Sequence, residues 1–397
     1  MATPGRQDCA VSAIEPAPMG GTCAPGFEAV RDAFVTNFAE RGEVGAAVCV
    51  VVRGSVVVDL WGGWAGPLAA APWQGDTLVN VFSVGKAFAA LCAARLVDQG
   101  LLEVDEPVSA YWPEFAAAGK RRITVGQLLS HQAGLPAVRR RLPPGAMLDH
   151  QLMCAALEEQ EPWWEPGSAH GYHTNTFGYL VGELVHRIDG RSLGTILRED
   201  IAAPLAADAY IGLPDELFDR VAEFQWVGEP PPEVEPENLS ESELMEHNGY
   251  FNPSGLSGAG AVNTPQWRKA EIPSTNGHAS ARAVARIYEA LAAGGEAGGV
   301  RVVDRATLDL FTTERSSGTD LVLHRPSRFG LGFQLTQPER PLGPGPRAFG
   351  HFGAGGSLGF CDPDVGVAFG YVINSMGPRW QNPRNRSLID AVFASLG

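Results

Sequence analysis

The stretch FSVGKAFAALCAARLVDQG, residues 82–100, places a serine and a lysine three residues apart at the head of an almost wholly apolar run. Its apolar residues recur at helical spacing, Gly100 supplies a stop, and Ser83 stands where an N-cap or first-turn residue belongs. The pattern predicts a helix over 83–99. Because side chains three residues apart on a helix lie within reach, Lys86 can touch the Ser83 hydroxyl.

The lysine is unusual in this chain, because only Lys86, Lys120 and Lys269 among the 30 basic residues are lysines. A lysine in a partly buried, apolar setting has a lowered pKa, which makes its neutral amine available as a proton acceptor. A serine beside such an amine can be an activated nucleophile. The alternative is a helix cap followed by a lysine whose charged end reaches solvent, and the motif alone leaves both readings open.

Composition narrows the class of protein. The chain has 397 residues, 45% of them hydrophobic, which suffices for a large core, and its net charge of −15 opposes binding to nucleic acid or anionic lipid. We find no apolar run of 18 residues and no basic and apolar leader pattern in residues 1–21, so we expect neither a membrane span nor secretion. The cysteines form no C-x-x-C pair, which favours reduced thiols in a cytoplasmic protein. They are Cys9, Cys23, Cys49, Cys92, Cys154 and Cys361.

The two ends of the chain carry strand patterns. Helical periodicity over 27–42 precedes two β-branched runs, separated by a short turn at Arg53 to Ser55, which predict a hairpin. Strand patterns return in FGLGFQLT, RAFGHFGAGGS and VGVAFGYVIN, before a last helix from about 384. The middle is mainly helical, with helices predicted over 123–132, 147–160, 175–190 and 279–295.

Consecutive strands joined by short turns imply an antiparallel sheet, so we predict an α/β sandwich built from both termini. Residues 27–82 and 326–397 would form this sandwich, with a mainly helical domain, 83–325, inserted between them and the active site at their interface. Residues 1–26 are expected to be a loose N-terminal segment.

Tyr172 lies in EPGSAHGYHTNTFGYLVGELVHRIDG (165–190), in a polar, turn-rich part just before an amphipathic helix. A tyrosine at such a position can point into a cleft. Beside a lysine its phenol could ionise more easily and act as acid or base. The alternative is a tyrosine that packs or anchors the loop.

A second candidate stretch, FGHFGAGGSLGF (349–360), is rich in glycines that let another chain or a ligand approach the backbone closely. Within it, Ser357 fits G-x-S-x-G, the nucleophile elbow of α/β-hydrolases. That elbow needs a helix after the serine, whereas an Asp-Pro-Asp turn and another strand pattern follow here. We therefore expect a structural role for Ser357.

With these stretches in order, the sequence resembles the serine β-lactamase and penicillin-binding-protein superfamily, in particular the class C-like branch that holds the family VIII carboxylesterases. The resemblance runs from about residue 27 to the end of the chain. It implies a β-lactamase-like fold of mixed α/β (α+β) type. The stretches that carry it are Ser83 to Lys86, LLSHQAGLP (128–136), WWEPGSAHGYHTNTFGYLVGELV (163–185), STNGHASARAVARIY (274–288) and GHFGAGGSLGF (350–360).

The resemblance also implies roles for individual residues. Ser83 would be the acylated nucleophile, Lys86 its proton partner, and Tyr172 the group that passes the proton to the leaving alkoxide. The backbone N–H groups of Ser83 and Ala354 would bind the oxyanion of the tetrahedral state. The resemblance implies neither a metal nor a cofactor.

The chain departs from the β-lactamase pattern at two motifs. Tyr172-His173-Thr174 stands in place of Tyr-x-Asn, and His351-Phe352-Gly353 in place of Lys-Thr-Gly. Thr174, His351 and Gly353 are therefore the candidate substrate-binding residues. A histidine is neutral for much of the time near pH 7 and clamps a carboxylate poorly. The change favours uncharged esters over β-lactams. His131 and His173 could tune the site or merely pack.

The sequence thus predicts a serine carboxylesterase that hydrolyses short-chain, small-molecule esters through an acyl-enzyme on Ser83. The alternatives are an acyltransferase on the same scaffold, weak β-lactamase or D-aminopeptidase activity, and a non-catalytic binding protein. The acidic segment 215–246 is read as a solvated loop or as a lid or pocket wall. The oligomeric state is left open.

Overall fold

The computed structural model describes residues 18–66, 71–226 and 238–397. The strands are β1 Met19–Cys23, β2 Gly45–Val52, β3 Ser55–Gly63, β4 Val79–Asn80, β5 Ala209–Tyr210, β6 His278–Ala279, β7 Glu296–Ala297, β8 Val300–Arg301, β9 Ser316–Thr319, β10 Pro326–Phe329, β11 Gln334–Leu335, β12 Phe349–Phe352, β13 Leu358–Asp362 and β14 Val367–Ile373. The helices are α1 Glu28–Glu40, α2 Val84–Asp98, α3 Val125–Leu129, α4 His150–Glu159, α5 Thr176–Asp189, α6 Leu193–Ile196, α7 Glu241–Phe251, α8 Pro265–Lys269, α9 Ala281–Ala292, α10 Arg305–Thr312 and α11 Pro383–Ala394.

One antiparallel sheet of nine strands organises the described part of the molecule, in the order β1-β3-β2-β14-β13-β12-β11-β10-β9. Strand β14 pairs with β2 over its whole length, from Val367 opposite Val52 to Ile373 opposite Ala46. The N-terminal hairpin and the C-terminal strands therefore meet inside a single sheet. The predicted fold class, an antiparallel sheet built from both termini and flanked by helices, is confirmed.

Both faces of the sheet are covered. Successive side chains of a strand point to opposite faces, and in β2 the residues Val48 and Val50 join the core beneath α1 and α11, while Cys49 and Val51 join the core on the opposite face. A strand buried on both faces reads as a continuous apolar run. This explains the sequence GAAVCVVV.

Helix α2 lies at the centre of the helical part and contacts both α5 and strand β12. Twelve of its 15 residues are buried. A helix that is apolar on all sides is found inside a protein rather than on its surface. Lys86, in its first turn, is buried with it, which excludes the reading of a lysine that reaches solvent.

The structure differs from the predicted organisation in two places. Residues 19–23, expected to be loose, form the edge strand β1 paired with β3, while residues 1–17 lie outside the described residues. Helix α9, expected in the helical domain, packs on β2, β13 and β14, because its apolar face, which includes Val284 and Ile287, covers the sheet. The division into domains stays a prediction.

Five of the six cysteines lie in the described part, where they are free; Cys9 lies outside it. Among the same residues, none of the helices combines the length and the apolar character needed to cross a membrane.

Candidate active site

Ser83 and Lys86 are in contact at the head of α2. Lys86 Nζ lies 3.0 Å from Ser83 Oγ and donates a second hydrogen bond, 3.1 Å long, to the carbonyl of Ser274. Lys86 is fully buried, and burial holds the pKa of its amine well below the ordinary value. A neutral amine can accept a proton. The predicted contact is therefore present, in a form suited to activate the serine.

The Ser83 hydroxyl is not used as a helix cap. Although Ser83 is the N-cap residue of α2, its side chain accepts no hydrogen bond from the backbone of the helix. The preceding residue, Phe82, has a φ of 49°, which is uncommon for a bulky residue and is tolerated only where the surroundings enforce it. The Phe82 ring packs edge-on against Phe224, 4.8 Å away between centroids. This packing holds the turn that presents Ser83.

Tyr172 is held in an aromatic cluster beside Ser83 and Lys86. Its ring stacks on Phe329, meets Trp380 edge-on at 5.0 Å, and lies 4.8 Å from Lys86 Nζ. The phenol oxygen is buried without a hydrogen-bond partner among the described residues.

Burial raises the pKa of Tyr172 well above its ordinary value, an effect that the nearby Ser83 hydroxyl partly offsets. The expectation that Lys86 would ease ionisation of this phenol is wrong. The reason is that Lys86 loses its own charge by burial and supplies no cation. Tyr172 is therefore a neutral phenol, able to donate a proton.

Asp320 positions the backbone of Tyr172, and sequence reasoning missed it. Its buried carboxylate accepts hydrogen bonds from the backbone N–H groups of Tyr172 (3.0 Å), Val322 (2.9 Å) and Leu323 (2.9 Å), and from the Ser327 hydroxyl (2.8 Å). Nothing local in the sequence marks this aspartate, because its partners include a residue 148 positions away. Ser274, which orients Lys86, was missed for the same reason.

The two N–H groups expected to bind the oxyanion are available. Within the described residues, neither Ser83 nor Ala354 donates a backbone hydrogen bond. A Cβ on Gly353 would lie 2.4 Å from the carbonyl oxygen of Val81. Only glycine therefore lets the end of β12 lie against the segment that leads into Ser83, and this contact sets Ala354 next to the head of α2.

His351 is a neutral histidine. Its Nδ1 lies 2.7 Å from the carbonyl oxygen of Phe352 and donates to it, so Nε2 carries no proton; Nε2 is buried and has no partner among the described residues. Burial, together with Lys86, lowers the pKa of His351 to about 3. Its ring lies 6.0 Å from that of Tyr172. His351 therefore packs beside Tyr172 and offers no cation to a carboxylate, and its role toward a substrate stays a prediction.

The remaining predicted residues are buried around Tyr172. The Thr174 hydroxyl donates to the carbonyl of Tyr172 at 3.4 Å, and the backbone N–H of His173 donates to Nδ1 of His131 at 3.2 Å. Burial lowers the pKa of His173 to about 4 and that of His131 well below its ordinary value. Both histidines are neutral packing residues near neutral pH. The roles expected for Thr174 and Gly353 toward a substrate stay predictions.

Ser357 stands apart from this arrangement. It is buried between a short helical turn and strand β13, and strand β13 rather than a helix follows it. Its carbonyl accepts a hydrogen bond from the N–H of Gly353 at 2.7 Å. The G-x-S-x-G match therefore forms no nucleophile elbow, and the expected structural role agrees with this geometry.

Part of the acidic segment borders the site. Helix α7, which includes residues 241–246, receives a 2.7 Å hydrogen bond from the Asn175 side chain at the carbonyl of Gly249. Residues 227–237 lie outside the described residues. Met245, in the C-terminal part of the segment, belongs to the same buried cluster as Tyr172, and the two readings of the segment, a solvated loop or a lid or pocket wall, stay predictions.

One group of side chains in the described ranges could hold a metal ion. It comprises His150, Cys154 and Glu183, whose candidate ligand atoms lie within 4.8 Å of one another between α4 and α5. Glu183 is already paired with Arg187 at 2.7 Å and faces His150 at 3.3 Å, so these contacts account for its charge. That the reaction needs no metal and no cofactor stays a prediction.

Comparison with known proteins identifies the family to which this chain belongs. A family model described as Beta-lactamase matches residues 30–393. "Esterase/beta-lactamase LipL" of Mycobacterium tuberculosis is 35% identical over 370 residues, covering 90% of this chain and 83% of that protein. Two solved structures cover 95% of this chain and all of theirs: a penicillin-binding protein homolog from Caulobacter crescentus (TM-score 0.87, 44% identity) and a family VIII carboxylesterase (TM-score 0.88, 40% identity). The predicted resemblance is confirmed, and the chain belongs to the Beta-lactamase family.

Proposed function

We propose that this protein is a serine carboxylesterase that hydrolyses short-chain carboxylic esters through an acyl-enzyme on Ser83. The observation that carries the proposal is the buried, neutral amine of Lys86, 3.0 Å from the Ser83 hydroxyl, with the Tyr172 phenol beside both. Relatives named as an esterase and as a family VIII carboxylesterase support ester hydrolysis.

Acylation begins when Lys86 Nζ takes the proton of Ser83 Oγ, which attacks the ester carbonyl carbon. The resulting oxyanion accepts hydrogen bonds from the N–H groups of Ser83 and Ala354. As the C–O bond breaks, Tyr172 gives its phenol proton to the departing alkoxide. The ammonium of Lys86 then returns a proton to Tyr172, which restores the neutral pair and leaves the acyl-enzyme.

Deacylation reverses these roles. Water enters in place of the alcohol and loses a proton to the Lys86 and Tyr172 pair as it attacks the acyl carbonyl. The same two N–H groups stabilise the second tetrahedral state, and Ser83 regains its proton as the carboxylic acid leaves. The result is ping-pong kinetics.

Hydrolysis of β-lactams is a second candidate, favoured by the relative that is named both an esterase and a β-lactamase. His351 argues against efficient turnover, because a neutral imidazole attracts the carboxylate of a β-lactam weakly.

We also propose that the site lies where the sandwich, residues 27–82 and 326–397, meets the mainly helical region. We propose further that the substrate is a small-molecule ester and that the protein acts in the cytoplasm.

The test is hydrolysis of p-nitrophenyl acetate and butyrate by the wild type, Ser83→Ala and Ser357→Ala, with a fluorophosphonate probe as a second readout. We expect Ser83→Ala to lose both turnover and labelling, and Ser357→Ala to keep both. Loss in Ser357→Ala alone would refute the assignment of the nucleophile. A folded wild type that neither turns over an ester nor reacts with the probe would favour a non-catalytic binding protein.

A further inference from the structure

Three arginines form what we call the cationic cluster, Arg325, Arg340 and Arg379, next to the Ser83 site. The guanidinium carbon of Arg325 lies 4.7 Å from the centre of the Trp380 ring, and that ring meets Tyr172 edge-on at 5.0 Å. Arg340 borders the same cleft as Trp380 and donates a hydrogen bond to the carbonyl of Pro326, the residue after Arg325. One aromatic ring therefore separates the cluster from a catalytic candidate.

The cluster has no internal counter-ion. Over residues 18–66, 71–226 and 238–397, no carboxylate oxygen lies within 4.0 Å of a side-chain nitrogen of Arg325, Arg340 or Arg379. The Nε atom of Arg325 is buried and donates no hydrogen bond to that part of the chain. This is unexpected in a protein whose net charge is −15.

Two of the acidic groups near the cluster are already engaged. Asp320 is buried and accepts four hydrogen bonds, three of them from backbone N–H groups. Glu246 pairs with His324 at 2.5 Å. Asp320 and Glu246 are therefore committed to other partners, while Glu339, the residue before Arg340, raises the pKa of that arginine but places no carboxylate oxygen within 4.0 Å of a side-chain nitrogen of the cluster.

Gathering these cations costs free energy. Burial lowers the pKa of both Arg325 and Arg340, and each is lowered further by a neighbouring arginine. Tyr250 and Asp320 partly offset this effect at Arg325, as Glu339 and Asp320 do at Arg340. Arginine nevertheless stays protonated near neutral pH, so the repulsion persists in the folded protein. An anion bound from outside would remove this cost. Planar guanidinium groups bind carboxylates best, through paired N–H donors.

We propose that the cationic cluster is a carboxylate-binding subsite of the Ser83 site, so that the preferred substrates are short esters that also carry a carboxylate. The inference rests on the proposed esterase function and deepens it. It differs from the expectation of uncharged esters, which considered His351 and the acidic segment 215–246 but not these arginines. The cation that β12 lacks is supplied by Arg325 between β9 and β10, by Arg340 between β11 and β12 and by Arg379 before α11.

The test compares matched charged and uncharged esters. In the first pair, mono-p-nitrophenyl glutarate carries a carboxylate on its acyl side, and p-nitrophenyl pentanoate is its uncharged match. In the second pair, 4-carboxyphenyl butyrate carries the carboxylate on its alcohol side, and 4-(methoxycarbonyl)phenyl butyrate is its uncharged match. The measured quantity is the ratio of kcat/KM, charged over uncharged, for the wild type, Arg325→Gln, Arg340→Gln and Arg31→Gln. Arg31 is an exposed residue of α1, across the sheet from the site, and its substitution makes the same change in net charge.

We expect the ratio to fall at least tenfold in Arg325→Gln and Arg340→Gln for one of the two pairs, and to stay within twofold in Arg31→Gln. The pair that responds identifies the side of the ester that carries the carboxylate. An unchanged ratio in both arginine variants, for both pairs, would overturn the subsite.

Failure of the esterase function would look different, because no ester of either kind would be hydrolysed. Calorimetric titration with glutarate, and with uncharged glutaramide as control, then decides the subsite without catalysis. Binding of glutarate that is lost in Arg325→Gln supports the subsite. Equal affinity in the wild type and Arg325→Gln, or no binding to either, refutes it.

Discussion

Lys86 Nζ lies 3.0 Å from Ser83 Oγ, inside a helix that is buried on nearly all sides, and no carboxylate pairs with that amine among the described residues. A buried ammonium without a partner is costly, so the amine is held neutral instead. The apolar surroundings that stabilise α2 thus also prepare its lysine as a base. At this pair, the burial that stabilises the helix also sets the charge state of the lysine.

Replacing Lys86 should lower the esterase activity without lowering the stability of the fold. We expect Lys86→Met to slow acylation by about 10²–10⁴-fold, since the proton acceptor is lost. The melting temperature should stay the same or rise, because an apolar chain replaces a buried amine. The measurements are burst kinetics with p-nitrophenyl butyrate and thermal unfolding. Lys269→Met, which removes an exposed lysine paired with Asp215, is the control and should match the wild type in both. Near-normal turnover in Lys86→Met would remove Lys86 from the mechanism.

The pH profile of kcat/KM should report the depressed pKa of Lys86. The neutral amine is the active form, so activity rises with pH through that pKa and reaches its plateau well below the ordinary lysine value of 10.5. His351, with a pKa of about 3, adds no change above pH 5. Tyr172 should cause no decline until the pH is well above 10, because burial raises its pKa. A rising limb centred near pH 10.5 would contradict the buried, neutral amine.

The same shift of Lys86 has a consequence for stability. Between its depressed folded pKa and its unfolded pKa near 10.5, the unfolded chain binds more protons than the folded chain. The contribution of Lys86 to the free energy of unfolding therefore rises with pH over that interval. Urea unfolding of the wild type and Lys86→Met across this range should show the difference between them narrowing or reversing as the pH rises.

Substituting Tyr172 tests proton donation to the leaving group. Tyr172→Phe keeps the ring that packs on Phe329 and Trp380, and removes a hydroxyl that has no hydrogen-bond partner, so stability should change little. Ethyl butyrate, whose alkoxide must be protonated, should lose about 10²–10⁴-fold in rate. p-Nitrophenyl butyrate, whose phenolate leaves unprotonated, should lose less. An equal loss for both esters would mean that Tyr172 does not protonate the leaving group.

The buried ion pair between Arg384 and Glu43 should stabilise the contact between the N-terminal and C-terminal parts of the chain. Arg384 donates to Glu43 at 3.1 Å and to the carbonyl of Gly42 at 3.1 Å, which links α11 to the segment before β2. Arg384→Met removes the cation from the buried Glu43 carboxyl, whose pKa burial already raises to about 7 and which keeps its hydrogen bond from the Tyr371 hydroxyl. The loss should cost about 3–5 kcal/mol in urea unfolding.

Arg386→Met is the matched control, because its ion pair with Asp390 is partly exposed to solvent and contributes about 0.5 kcal/mol or less. Adding Glu43→Gln to Arg384→Met should recover part of the loss, since it removes the unpaired charge. Similar small losses in both single variants would show that the buried pair does not join the termini.

Local patterns predicted much of this molecule. The helices at 28–40, 84–98 and 176–189 and the hairpin at Arg53 follow from apolar spacing and turn residues that lie close together in the chain. Local reasoning failed for α9 and β1. Residues far away in the sequence determine which face of a helix packs on a sheet. They also determine whether a terminal segment pairs with the edge strand of a sheet.

The sequence by itself determined that Ser83 and Lys86 meet, because three residues on a helix bring them together whatever surrounds them. It also determined the family, through motifs in a fixed order. Only the tertiary structure decided the charge states of Lys86, Tyr172 and His351, since a pKa depends on how completely distant segments exclude water from a group. The same holds for Asp320 behind Tyr172 and for the cationic cluster around Trp380, because the residues in contact lie far apart in the sequence.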